Sequence, residues 1–271
     1  MNIHFIENDP ERLSMYVNSV YSVYSWCLVV LLCIGCDAPT SSKERISIFA
    51  ASSLTEGFTT LKSQFEQTYP RYDVQLNFAG SQVLRLQIEN GAAADVFASA
   101  DTRHIHALKT YSTIQDARPF ATNRLSIIVP KNTSIPIQTF HDLTQARRIV
   151  LGTPQSPIGK YSDLLFDRVK TQFGSQFSSA IQSRVVSREK NVRLVRAKII
   201  MGAADAAIVY ASDAQGMKAL DTVYIPDALN PRVEYVAARL NSNAGSTLWL
   251  EFLQSGVAQA TLDRAWFEGV R

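Results

Sequence analysis

Four turns in this 271-residue chain bring small hydroxyl and glycine residues to points where an apolar strand gives way to a helix. "FAASSLTEGF" supplies Ser52 and Ser53, and "FAGSQVL" supplies Gly80 and Ser81. "GTPQSPIGKYSDLLF" puts Pro157, Ile158 and Gly159 at a helix start, where proline's missing N–H costs nothing. "EKNVRLV" offers Asn191 as a cap and Val192 as the first helical residue, and the strand "AAIVY" delivers Tyr210 to its carboxyl end. The chemistry these residues share is hydrogen-bond donation without charge. A helix N-terminus presents free N–H groups and about half a positive charge, so it binds anions without lysine or arginine. If these ends converge, with the hydroxyls of Ser53, Ser81 and Tyr210 added, the product is a pocket of neutral donors suited to a small, fully deprotonated oxyanion. Lys160 and Arg193 are near in sequence but do not belong to the donor set.

Such a pocket also excludes. An oxyanion that carries a proton needs an acceptor, and leaving that O–H unpaired in a dry site costs about 1–3 kcal/mol. Glu56 stands three residues after Ser53, a spacing that reads as a capping box and would occupy its carboxylate locally. Glu189 is the next nearest acid. Between anions of equal charge the choice then rests on cavity size.

The elements that must position these residues are legible as alternating runs. Apolar, β-branched strands are expected at 46–50, 73–79, 95–100, 125–130, 148–152, 206–210 and 233–238, a pattern of strands buried on both faces. Leu54, Phe58, Leu61 and Phe65 recur at helical spacing before Pro70, and "SQVLRLQIENG" and "NVRLVRAKIIMG" are helical stretches closed by Gly91 and Gly202. Strand–helix alternation predicts an α/β fold with mainly parallel sheets, and in such sheets ligands sit beyond the carboxyl ends of the strands. Trp249 and Trp266 read as core residues of late helices, and "SREK" at 187–190 as an exposed stretch.

The chain is 46% hydrophobic and 19% charged with a formal net charge of +3, which gives no basis for a nucleic-acid partner. From Leu13 to Cys36 no charged side chain occurs, and "WCLVVLLCIGC" is the apolar centre of that run, the length of an export-signal core rather than a full membrane span. Cys27, Cys33 and Cys36 are the only cysteines, so the body of the chain has neither a disulfide framework nor a cysteine metal site. "CIGC" followed by "DAPTSSKER" resembles a bacterial lipoprotein signal, with Cys36 as the lipidated first mature residue and residues 37–44 as a polar linker.

Taken together, "AASSLTEGF", "FAGSQVLRLQIENGAAADVFASAD" and "NVRLVRAKIIMGAADAAIVYASDA" resemble the periplasmic molybdate-binding proteins of ABC importers, from about Arg45 to near the C-terminus. The resemblance implies a two-lobed class II solute-binding fold with the ligand in the cleft between lobes. One lobe would comprise 45–124 and 232–271 and the other 125–231, after a signal or anchor at 1–36. It implies tetrahedral molybdate or tungstate as ligand, held by Ser53, Ser81, Ile158, Val192 and Tyr210. The metal arrives inside the oxyanion, so no direct ligands to a metal cation and no cofactor are expected. It further implies a monomer outside the cytoplasmic membrane, tethered through Cys36, that delivers its ligand to a membrane permease. Where relatives read "PAG", this chain has "PIG" at 157–159, which bears on pocket size.

Two other readings compete. A binding protein for sulfate, thiosulfate or an organic anion, or a sensor on the same fold, would keep the donor set. An exported serine hydrolase would need a histidine beside its serine, and "FAGSQ" lacks the second glycine of a nucleophile elbow. His104 and His106 lack a third ligand of fitting spacing and read as a solvated helix face, with His141 apart from them. No catalytic residue is assigned.

Overall fold

The apolar runs form the inner strands, and one edge strand (Tyr72–Ala79), of two five-stranded sheets in a computed structural model that describes residues 43–110 and 114–270. The strands are β1 (Glu44–Ala51), β2 (Tyr72–Ala79), β3 (Val96–Ser99), β4 (Asp116–Asn123), β5 (Leu125–Pro130), β6 (Ile149–Gly152), β7 (Val185–Glu189), β8 (Ala206–Tyr210), β9 (Leu220–Val223) and β10 (Val233–Arg239). The first sheet has the order β2-β1-β3-β10-β4 and the second β7-β6-β8-β5-β9. β1 runs parallel to β2 and β3, with Ile48 opposite Leu76 and Val96, whereas β10 lies antiparallel to β3 and β4. The second sheet repeats the scheme, with β5 antiparallel to both β8 and β9. Each sheet is therefore mixed, with one antiparallel strand set inside it. The chain passes between sheets at Arg124 and returns through 224–232.

The helices are α1 (Thr55–Thr68), α2 (Ser81–Glu89), α3 (Thr102–Leu108), α4 (Pro157–Gln182, interrupted at Gly174), α5 (Val192–Ile200), α6 (Ala211–Ala214), α7 (Ala244–Leu253) and α8 (Gly256–Arg264). Successive strand residues point to opposite faces, and β1 shows the result. Ile46 and Ile48 enter a core with Phe58, Phe65 and Trp249 of α1 and α7, where the Trp249 ring meets Phe58 at 5.6 Å and Phe65 at 5.2 Å. Phe49 enters a second core with Leu84, Ile88, Ile105 and Leu108 of α2 and α3. The first sheet is thus covered on both sides. Over the second sheet, Leu165 and Val169 of α4 and Val195 and Ile199 of α5 are fully or nearly fully buried.

Three strands escape the sequence reading, β4, β7 and β9, and all three lie at sheet edges. Edge strands carry polar side chains and breakers that blunt further pairing. β4 holds Pro119, which cannot donate to a ladder, opposite a register shift at Tyr235/Val236. The "SREK" stretch is not simply exposed: Ser187, Arg188 and Glu189 are half-buried at the end of β7, and Lys190 offers its carbonyl to Gln82. Trp249 is a core residue as expected, but Trp266 is not. It lies past the end of α8, 58% exposed, at φ +64°.

Candidate oxyanion site

The carboxyl ends of β1, β2, β3, β6, β7 and β8 face one small cavity of about 10 Å³, room for about one water-sized body. Ala51, Ser52 and Ser53 line it after β1, Gly80 and Ser81 after β2, and Ala100 after β3. Pro157 and Ile158 open α4 into it, Asn191 and Val192 open α5 into it, and Tyr210 closes it from the end of β8. The structure therefore brings Ser53, Ser81, Ile158, Val192 and Tyr210 to a single point, and every lining residue is uncharged.

Local chemistry decides which donors remain for a guest. The caps of α4 and α5 consume one N–H each: Gly159 N donates to Ser156 Oγ at 3.2 Å and Leu194 N to Asn191 Oδ1 at 3.0 Å. Ile158 and Val192 stand in the first turns, where N–H groups have no acceptor within the helix. Ser81 Oγ accepts from Ala100 N at 3.2 Å, which leaves its own proton free. The Tyr210 hydroxyl is buried with no hydrogen-bond partner among the described residues. Burial, with Tyr235, Tyr161 and acids nearby, pushes the Tyr210 pKa well above its ordinary value, so the group is a neutral donor. Ser53 Oγ lies 3.0 Å from Tyr235 Oη.

Two glycines permit the close approach. A Cβ at Gly159 would stand 1.9 Å from the Thr153 carbonyl oxygen, and one at Gly80 would stand 2.5 Å from the Lys190 carbonyl oxygen. Gly80 thus serves contact between the two sides of the cleft as well as access to the cavity.

The expected capping box at Ser53 and Glu56 does not form. The chain leaves β1 through a short 3₁₀ turn, Ser52–Leu54, so α1 starts later, with Leu54 at its N-cap and no side-chain cap. Ser53 is freed to face Tyr235. Glu56 instead crosses the cleft to Arg193 at 2.6 Å, with Arg196 at 3.8 Å. Its pKa lies below the usual carboxylate range: burial pushes it up, but the Arg193 hydrogen bond and the two arginine charges outweigh that. Lys160 crosses to the buried Asp101 at 3.1 Å, and Gln82 Nε2 donates to the Lys190 carbonyl at 2.6 Å. Charge therefore rings the cavity without entering it.

Three residues beside the site carried no local signal. His104 is buried rather than solvated, its Nε2 unpartnered among the described residues, and burial lowers its pKa to about 4. His106 is exposed, as expected. Asp213, three residues after Tyr210, is 2% exposed and pushed up to about 7 by burial, against the pull of Arg196. It does not line the cavity. Tyr235 sits in the strand expected at 233–238, and a tyrosine within an apolar strand was its only mark. Among the described residues no group of three or more His, Cys, Asp or Glu side chains is placed to hold a metal ion. Cys36 and the apolar segment before it lie outside the described residues.

A second, far larger cavity of about 580 Å³ lies where the chain changes sheets, lined by Arg124, Asp227, Asn230, Arg232, Asp263, Glu268 and Gly269. Arg124 pairs there with Asp227 and with Glu268. Its walls are as charged as those of the small cavity are neutral.

The family of bacterial extracellular solute-binding proteins matches residues 46–268 of the chain. The molybdate-binding protein ModA of Mycobacterium tuberculosis is 33% identical over 235 residues, covering 84% of this chain and 86% of that protein. Among solved structures, the periplasmic molybdate-binding protein of Azotobacter vinelandii superposes with a TM-score of 0.71 at 18% identity, over 83% of this chain and 100% of that one. The sulfate-binding protein SubI of Mycobacterium tuberculosis superposes with a TM-score of 0.72 at 16% identity, over 84% of this chain and 87% of that one. These two structural likenesses carry the fold, which proteins named for different anions share.

Proposed function

Because the chain belongs to the family of bacterial extracellular solute-binding proteins, and so binds a solute rather than catalysing a reaction, we propose that its small cavity takes one molybdate or tungstate ion. The observation that carries this reading is the Tyr210 hydroxyl, buried without a partner in a cavity whose walls are neutral donors. A buried donor left unpaired costs about 1–3 kcal/mol, and a guest that accepts from it recovers that energy. With the hydroxyls of Ser53 and Ser81 and the N–H groups of Ile158 and Val192, it offers a tetrahedral dianion a donor from each wall.

The cavity as it stands admits about one water-sized body, so a tetrahedral anion enters only as its walls part slightly, and an organic anion would need more room still. The 33% identity to a molybdate-binding protein favours molybdate and tungstate over sulfate. Sulfate is the second reading, favoured by the equal superposition on a sulfate-binding structure. Delivery to a membrane permease, a monomeric state and tethering through a lipidated Cys36 complete the proposal. The lobes are proposed as 45–124 with 232–271, and 125–231, in keeping with the sheet changes at Arg124 and 224–232.

Calorimetric titration with molybdate, tungstate, sulfate and hydrogenphosphate tests the reading. Molybdate and tungstate should bind at least tenfold more tightly than sulfate, with hydrogenphosphate weakest. Sulfate binding as tight as molybdate would overturn the assignment. Mass spectrometry of the native membrane fraction should find a diacylglyceryl group on Cys36; a chain still beginning at Met1 would replace the lipid with an uncleaved anchor.

A further inference from the structure

We infer that Tyr235, which does not line the cavity, is a specificity-determining residue: it fixes Ser53 as a hydrogen-bond donor and so turns the site against oxyanions that carry a proton. The inference rests on the oxyanion reading above and deepens it.

Tyr235 is fully buried on β10, 182 residues away from Ser53 in sequence, and its hydroxyl lies 3.0 Å from Ser53 Oγ. Burial holds the phenol neutral, its pKa well above the ordinary value, so its proton requires an acceptor. The other polar neighbour is the Asn123 side chain. Its oxygen accepts from Arg124 N at 2.8 Å, and its nitrogen donates to Ser212 Oγ at 2.8 Å. Ser53 Oγ is the partner within hydrogen-bond distance of Tyr235 Oη among the described residues, and we assign it as the acceptor of the Tyr235 proton. A serine hydroxyl has one proton and rotates to suit its partners. Once Ser53 accepts from Tyr235, its proton is directed to its remaining neighbour, the cavity. Hydrogen bonds aligned head to tail in this way polarise one another. A dianion gains a committed donor, and an anion bearing an O–H finds no acceptor at Ser53.

The ring is independently anchored, with centroids 6.0 Å from Tyr210, 6.2 Å from Phe120 and 5.2 Å from Phe267. Tyr235→Phe should accordingly keep the packing and remove only the hydroxyl. Released from it, Ser53 can turn and accept from a protonated guest.

The test is titration of the unaltered protein, Tyr235→Phe, Ser53→Ala and the double variant with molybdate and with hydrogenphosphate. In Tyr235→Phe, molybdate should bind about tenfold more weakly, the loss of one oriented donor, while hydrogenphosphate binding holds or strengthens. Ser53→Ala should weaken molybdate with no gain for hydrogenphosphate, and adding Tyr235→Phe to it should change little further. Equal weakening of both anions, unchanged affinities, or full additivity in the double variant would overturn the role of Tyr235. Failure of the unaltered protein to bind molybdate or tungstate would instead sink the oxyanion reading, and this inference with it. If Tyr235→Phe does not fold, a gain for hydrogenphosphate in Ser53→Ala alone still overturns the inference.

Discussion

Two cavities of this protein, the small one and the one at the sheet crossings, are opposites. One holds about 10 Å³ between strand ends, with neutral, buried walls; the other holds about 580 Å³ at the sheet crossings, walled by arginines and acids open to solvent. Size alone would send a guest to the larger one. Its acids, however, outnumber its two arginines, and Arg124 already meets Asp227 and Glu268, both more than half exposed. In the small cavity no charge has to be moved to admit a guest, and the dry surroundings strengthen every dipole aimed into it. Under the proposed reading, capacity to bind follows unsatisfied donors, not volume.

The comparison can be broken at several points. The largest effect expected is stabilisation by ligand. Molybdate or tungstate at a thousand times its dissociation constant should add about 4 kcal/mol to the unfolding free energy, read as a rise in melting temperature. An equal rise in an Arg124→Ala variant would keep the ligand in the small cavity, and loss of the rise there would move it to the large one.

Next comes Tyr210→Phe, which should weaken molybdate binding by about 1–3 kcal/mol through loss of one hydroxyl donor. The ligand-free variant should be as stable as the parent or more so, because a hydroxyl buried without a partner has gone. Unchanged affinity in calorimetry would remove Tyr210 from the site.

A smaller effect is expected from pH, and it comes from the dry side. His104, lowered by burial from its ordinary 6.5 to about 4, contributes stability present above pH 6.5 and lost as pH falls towards 4. Asp213, raised by burial from 3.8 to about 7, contributes stability present below pH 4 and lost as pH rises towards 7. Between pH 4 and 6.5 the two oppose each other. Asp213→Asn should therefore leave a protein whose stability rises with pH in that window, and His104→Gln one whose stability falls. The slope in each case is about 1 kcal/mol per pH unit, measurable by denaturant titration. Parallel slopes in both variants would show that these groups do not govern the window.

The smallest effect is expected at the wet cavity itself. Arg124→Ala removes two exposed ion pairs, each worth about 0.2–1 kcal/mol, and should change molybdate affinity less than threefold. A larger loss would give the sheet crossing a part in binding.

The same contrast explains what could be read in advance. Ser53, Ser81 and Ile158 were legible because each follows a strand whose apolar run announces where it ends, Tyr210 because it closes such a run, and Val192 because Asn191 before it reads as a helix cap. What surrounds them was not. Glu56 has a local partner on paper in Ser53, yet it finds Arg193, 137 residues on, because a 3₁₀ turn displaces the helix start. Tyr235 and His104 sit in stretches whose pattern fits an ordinary strand and an ordinary helix, and only the tertiary fold shows where their polar atoms are buried. β4, β7 and β9 were invisible for the converse reason: an edge needs no apolar signature on its outer side.

The place of β10 carries a consequence for the order of assembly. Residues 125–223 contain every strand of the second sheet, so that sheet can close from one unbroken stretch of chain. The first sheet cannot, because β4 reaches β3 only through a strand drawn from residues 233–239. Its edge stays unpaired until residues 233–239 have emerged, and pairings so distant in sequence are the slow ones. Ser53 acquires its neighbour Tyr235 only when that last strand inserts, so the small cavity is among the late features to mature as the chain folds.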